Sequence, residues 1–117
     1  MESNINVQHI KELKSLAQQN DPSFMLKFHM HFHVFVARLN ELANSSLNGA
    51  EMEICAYTKL NFSTKDIALH LRCSVRSVEN KKYRIRKKLR IEHEEDFMLW
   101  IARVPGREAA QVALKGT

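Results

Sequence analysis

Residues 63–91 read STKDIALHLRCSVRSVENKKYRIRKKLRI. The stretch divides into two short helical patterns joined at Arg72-Cys73. In the first, Ile67, Ala68 and Leu71 share one face, and Ser63 stands three residues before Asp66 as a capping pair. In the second, Val75, Val78, Ile85 and Leu89 recur at helical spacing beneath a dense run of cations. Eight basic residues (Arg76, Lys81, Lys82, Arg84, Arg86, Lys87, Lys88 and Arg90) and one acidic residue, Glu79, lie between positions 76 and 90. A helix that buries one edge and shows such a face calls for a polyanion, and double-stranded DNA is the obvious one.

The rest of the chain bounds that reading. It has 117 residues and a net charge of +5, but the residues outside 76–90 carry 10 of the 18 basic and 12 of the 13 acidic side chains. The surplus is therefore local, which indicates one specific face. Three glycines, two prolines and long 3.6-residue periodicities predict an all-α chain. Cys55 and Cys73 have no metal-ligand spacing and read as thiols in a reducing cytosol. No apolar run is long enough for a membrane span or a signal peptide, so a soluble, cytoplasmic protein is expected.

The N-terminal part predicts two helices and a linker. Over residues 5–19, Ile10, Leu13 and Ala17 form a stripe with Leu16 beside it. Asn20-Asp21-Pro22 ends that helix. Asp21 is the expected N-cap of the next, with Pro22 in its first turn. A long Phe-rich helix is expected over 22–43, where Met25, Phe28, Phe32, Phe35, Leu39 and Leu42 repeat at spacings of 3,4,3,4,3 and Phe24 and Val36 widen the seam. So broad an apolar face must be covered. It can pack within the chain or against a second copy, and two-fold reading of DNA favours a homodimer. Residues 1–46 thus form an N-terminal helical segment, ending at Asn44-Ser45-Ser46.

From residue 47 onward four helices are expected. Asn48 and Glu51 make a capping box for the first, running to about Lys59. Ser63 caps the second and Ser74 the third. The fourth is expected over 92–104, with Glu92, Glu94, Glu95 and Asp96 in its first turn, where acidic groups suit the helix dipole. Phe97, Trp100, Ile101 and Val104 would form its apolar edge. Residues 105–117 read as a tail.

The run from Leu47 to Ile91 resembles the LuxR/GerE-type helix-turn-helix, the effector domain of NarL/FixJ-like regulators. The matching elements are Leu47 and Glu51, then Ser63-Thr64-Lys65-Asp66-Ile67-Ala68 for the family's S-x-K-E-I-A. Ser74-x-x-Ser77-Val78 stands for S-x-x-T-V, and Ile85-x-x-Lys88-Leu89 for I-x-x-K-L. Three phased blocks with these gaps are a specific match, and they are most like C-terminal domains of Bacteroidetes regulators. The resemblance covers about residues 46–101. It implies a four-helix domain at 47–104 that acts as a sequence-specific transcriptional regulator, with its third helix in the major groove of DNA and its fourth at a dimer contact.

That resemblance assigns base reading to Glu79, Asn80 and Tyr83, and the chemistry is workable. Asn80 can pair with adenine and Glu79 can accept from cytosine. Arg76 can reach guanine or a phosphate. Ser77, Lys81, Arg84, Lys87 and Lys88 are assigned to phosphates, with Lys65 and the amides capped by Ser74 as further clamps. Lys81 and Lys82 depart from the family, where His and an apolar residue are common; the departure bears on exact contacts and not on the docking mode, and the Lys82 stem can lie over the core with its ammonium outside. The expected seam residues are Phe28, Phe32, Phe35, Leu39 and Trp100.

Two other readings compete. The basic helix could meet an acidic protein partner or RNA polymerase, making the chain a helical adaptor or sigma-like module. His29 and His33, four residues apart, could start a metal site, but no Cys, Asp or Glu completes it. No nucleophile motif, paired carboxylates or phosphate loop is present. No catalytic residue, cofactor or metal is therefore assigned. No receiver or ligand-binding domain is recognisable, and a stand-alone regulator and a piece of a larger one both fit.

Overall fold

The computed structural model describes residues 2–106, with side chains from residue 7 onward. Residues 107–117, most of the expected tail, lie outside the described residues. Every element described is helical: α1 (Glu2–Gln18), α2 (Phe24–His31), α3 (His33–Leu42), α4 (Gly49–Lys59), α5 (Thr64–Leu71), α6 (Val75–Leu89) and α7 (Phe97–Arg103).

The Phe-rich segment is two helices rather than the expected one. Phe32, with φ −126° and ψ 39°, breaks the ladder between α2 and α3. A new helix start leaves amides without intrahelical acceptors. The Phe35 amide is satisfied from far along the chain, donating to the Gly106 carbonyl at 3.1 Å. Glycine suits that approach, because a Cβ at position 106 would lie 3.0 Å from the Phe32 ring and require the ring to shift by a few tenths of an ångström. The break lets three rings meet. Phe28 and Phe32 stack at 4.8 Å between centroids, and Phe35 meets Phe28 edge-on at 5.8 Å. Such offset and edge-on pairs suit the ring quadrupoles. Leu42, expected on the seam, is instead 43% exposed.

The start of α2 also differs. Ser23 takes the N-cap position without a side-chain cap. Asp21 acts two residues earlier, accepting from the Ser23 amide at 2.8 Å and the Ser23 hydroxyl at 2.7 Å. These bonds hold its carboxyl below the usual range.

The N-caps of α4, α5 and α6 follow the sequence. The Asn48 side chain accepts from the Glu51 amide and Glu51 returns a bond to the Asn48 amide, a complete capping box. Ser63 accepts from the Asp66 amide and Ser74 from the Ser77 amide. Helices α5 and α6 each end on an arginine in the left-handed region, Arg72 at φ 57° and Arg90 at φ 58°. The following amides reach back to close the ends, Cys73 to Ala68 and Ile91 to Arg86.

The last helix starts five residues later than expected. Residues 91–96 form a turn, and Asp96 caps α7 by accepting from the Leu99 amide at 3.0 Å. Arg86 explains the turn. One guanidinium nitrogen donates to the carbonyls of Glu92, His93 and Glu95 at 2.8, 3.2 and 2.9 Å. Arg86 thereby gathers the turn's carbonyls on one side, while the Glu92 carbonyl also accepts the Glu95 amide at 3.0 Å in a tight turn.

One apolar cluster runs through all of this, from Leu13 and Ala17 through Phe28, Phe35 and Leu39 to Tyr57, Ile67, Val78, Ile85 and Ile101. Tyr57 lies at its centre. Its ring meets Phe24 edge-on at 5.0 Å, and its hydroxyl donates to the Ala17 carbonyl at 3.4 Å. No described helix is long and apolar enough to cross a membrane.

Candidate nucleic-acid interface

Helix α6 is sorted by its packing into an inner edge and an outer face. Val78, Ile85 and Leu89 are buried against α4 and α5, where Ile67 and the small Ala68 lie. Val75, expected beneath the cations with them, is 45% exposed because it begins the helix beyond that crossing. The opposite face carries Arg76, Glu79, Asn80 and Tyr83, all exposed, at spacings that keep them on one side of the helix. Among the described residues Arg76, Glu79 and Asn80 make no side-chain hydrogen bond or ion pair. Tyr83 is 61% exposed and carries the Lys87 ammonium 5.0 Å from its ring centroid. A cleft of about 630 Å³ between α6 and the 91–96 turn is bordered by Tyr83, Lys87, Arg90 and His93.

The cations of the run are not equivalent. Lys65 at the start of α5, Arg76 and Arg90 are exposed, and no partner holds them among the described residues. Lys81 donates to the Ser77 hydroxyl at 3.1 Å. Lys82 turns inward, donating to Thr64 at 2.8 Å and lying over the Phe97 ring. Arg86 is spent on the turn carbonyls. Lys88, one of the expected phosphate contacts, points to the core side. Its ammonium donates to Glu51 Oε1 at 2.7 Å and to the Ser46 carbonyl at 2.9 Å.

Glu51 is the centre of that arrangement. It is 1% exposed and stands just before the run MEICAY of α4. Oε1 accepts from Lys88 and, at 3.0 Å, from the Asn48 amide. Oε2 has no hydrogen-bond partner and faces the Arg84 Nε at 3.7 Å. Burial alone would raise this carboxyl, but the bonds from Lys88 and Asn48 and the charges of Lys88 and Arg84 hold it below the usual range. The sequence identified Glu51 as a cap. Its second duty to α6 has no local signal in the sequence, where Glu53 is the carboxylate inside the apolar run.

Lys59 is a feature that sequence reasoning missed, since nothing in its local sequence marks it. At the end of α4 its ammonium donates to the carbonyls of Ile101, Ala102 and Val104 at 3.4, 3.1 and 2.6 Å, closing the end of α7. It also lies 5.2 Å from the Phe35 ring centroid. The carbonyls and ring favour the cation, but burial prevails and pushes the group down to about 8 from 10.5. With the folded value below the unfolded one, the unfolded chain binds more protons between them. Stability gained at this site therefore rises as pH climbs from about 8 toward 10.5. Denaturation of the wild type and Lys59→Met at pH 8 and pH 10 checks this. The wild type is expected to gain on the variant, and a constant difference would count against the assignment.

The histidines of the HMHFH run are separated by the break. His29 lies on α2 and His33 opens α3, both exposed, so they do not share one helical face. His31 instead stacks on His9 of α1 at 3.7 Å between centroids. Among the described residues no group of three or more His, Cys, Asp or Glu side chains is placed to hold a metal ion. Of the seam residues, Phe28, Phe32, Phe35 and Leu39 are buried within the chain, and Trp100 is half-buried against the same core. Comparison with protein-family models, with curated proteins and with solved structures gave no match.

Proposed function

We propose that this chain is a sequence-specific, double-stranded DNA-binding transcriptional regulator of the LuxR/GerE type, acting in the cytoplasm as a homodimer. The observation that carries the reading is the division of α6. Val78, Ile85 and Leu89 anchor it in the core, while Arg76, Glu79, Asn80 and Tyr83 are exposed on the opposite side. A helix displayed in this way fits the major groove, whose width admits a helix with its side chains. Asn80 reads adenine, Glu79 accepts from cytosine, Arg76 reaches guanine, and Tyr83 offers its hydroxyl and ring edge. Lys65, Lys81, Arg84 and Lys87 meet phosphates, together with Ser77 and the amides at the Ser74 cap. Lys88 drops out of the phosphate set, because Glu51 and Ser46 already engage its ammonium. With the Phe rings buried, Leu42 and Leu99, both exposed, and the half-buried Trp100 are among the apolar groups left for a second copy.

A pair of substitutions separates reading from anchoring. Asn80→Ala is expected to reduce discrimination at one base pair by about 1–3 kcal/mol. Lys87→Ala is expected to weaken all duplexes alike and to lower the salt slope by about 1. Competition titrations with single-base operator variants measure both, and equal loss on every sequence for both variants would remove Asn80 from the reading set.

Leu26 and Met30, one turn apart on α2 and both exposed, favour a second reading in which the chain is an adaptor for a protein partner such as RNA polymerase. In that case the basic face meets acidic protein and binds no duplex at low salt.

A further inference from the structure

The DNA reading leaves open why a buried carboxylate should stand behind a phosphate-binding face, and Glu51, Arg84 and Lys88 supply an answer. Glu51 carries one negative charge, and two cations from α6 converge on it. One of them satisfies it. Lys88 is close, at 2.7 Å, and is also held by the Ser46 carbonyl. The other is loosely held. Arg84 Nε stands 3.7 Å from Oε2, beyond hydrogen-bond length, and the Arg84 side chain is 56% exposed. The group of three therefore has one surplus positive charge, and it is located on the arginine that faces outward.

Resting on the DNA reading, we propose that Glu51 is a positioning residue that aims Arg84 at a DNA phosphate. The guanidinium has five donors in a fixed fork. Nε is the donor directed inward, and the two terminal nitrogens remain for the paired oxygens of a phosphate. Oε2, buried and without a hydrogen bond, is the acceptor that closes when Arg84 is drawn into line. Arg84 then bridges a fixed anion inside the fold and a phosphate outside it. Because Glu51 is also the capping-box residue of α4, the bridge sets the rotation of α6 against α4. Lys88 supplies charge balance and no DNA contact.

Simple electrostatics predicts the opposite effect for removing Glu51, which makes the idea testable. Taking a negative charge from behind the interface should tighten DNA binding. If Glu51 positions Arg84, Glu51→Gln weakens binding roughly tenfold, the loss of about one charge-assisted bond. Arg84→Ala has a similar effect, and the double variant is little worse than either single one. Arg84→Lys retains the charge but not the fork, and is expected to bind nearly as weakly as Arg84→Ala. Because Arg84 is largely exposed, its variants test the idea even if Glu51→Gln folds poorly. The readout is the dissociation constant on a selected duplex at fixed salt, with circular dichroism confirming folded protein. Tighter binding by Glu51→Gln, additive losses in the double variant, or full activity of Arg84→Lys overturns the positioning role while leaving DNA binding intact. A wild-type chain that binds no duplex at all overturns both.

Discussion

Glu51→Ala is expected to lower the free energy of unfolding by about 3 kcal/mol, toward the lower end of the range for breaking a buried ion pair. The reason lies on both sides of the carboxylate. On its own helix it completes the capping box with Asn48. Across the fold it neutralises Lys88 at 2.7 Å, and Lys88 in turn ties the Ser46 carbonyl to α6. Truncation leaves an ammonium without its anion and an amide without its cap. The Lys88 side chain is 30% exposed and can swing toward water, which keeps the cost from reaching the upper end. Chemical denaturation measures the change. The same group predicts a pH effect with a definite sign. A carboxyl whose folded value lies below its unfolded one stabilises fully above about 4.5, and that contribution fades as pH falls through the folded value. Glu51→Gln should therefore lose less stability than the wild type on acidification below 4.5.

Phe35→Ala is expected to cost about 3–5 kcal/mol, the usual range for truncating a fully buried aromatic ring. Phe35 is 0% exposed, meets Phe28 edge-on, and supports the Lys59 ammonium that closes α7. The loss would take a large share of a stability that in most domains lies at about 5–15 kcal/mol. It also tests whether the N-terminal helices and α4–α7 unfold together. The apolar cluster runs from Leu13 to Ile101 and on to Val104, so a single transition is expected, shifted as a whole by the substitution. Two transitions, with only one displaced by Phe35→Ala, would show two separately stable units.

The N-caps of α4, α5 and α6 were legible to the residue. Asn48, Ser63 and Ser74 cap the helices they were expected to cap, because each cap is set by a side chain and an amide three positions on. Asp21 failed locally, engaging Ser23 two residues on instead of capping α2, and the larger failures depend on partners far away in sequence. The Phe28, Phe32 and Phe35 spacing continues a helical pattern across the break, so periodicity cannot report it. The break is supported instead by Gly106. The acidic run at 92–96 reads as a first helical turn until Arg86 claims its carbonyls. The candidate site was legible in the same measure. The outer positions of α6 follow from its apolar period. No rule of spacing could say which lysines of a run of cations turn inward, and Lys82 and Lys88 do so for Thr64 and Glu51, which lie on α5 and α4.

The most direct test of the central claim is the affinity of the purified chain for duplex DNA as salt is raised, on a mixed pool and on a sequence selected from random oligonucleotides. If α6 reads DNA, the chain binds the pool at low salt and log affinity falls linearly with log salt, with a slope of about −0.9 for each phosphate contacted. It then holds the selected sequence at least about 10³-fold more tightly than the pool. No binding to any duplex at low salt, or equal affinity for selected and random sequences, would contradict the account.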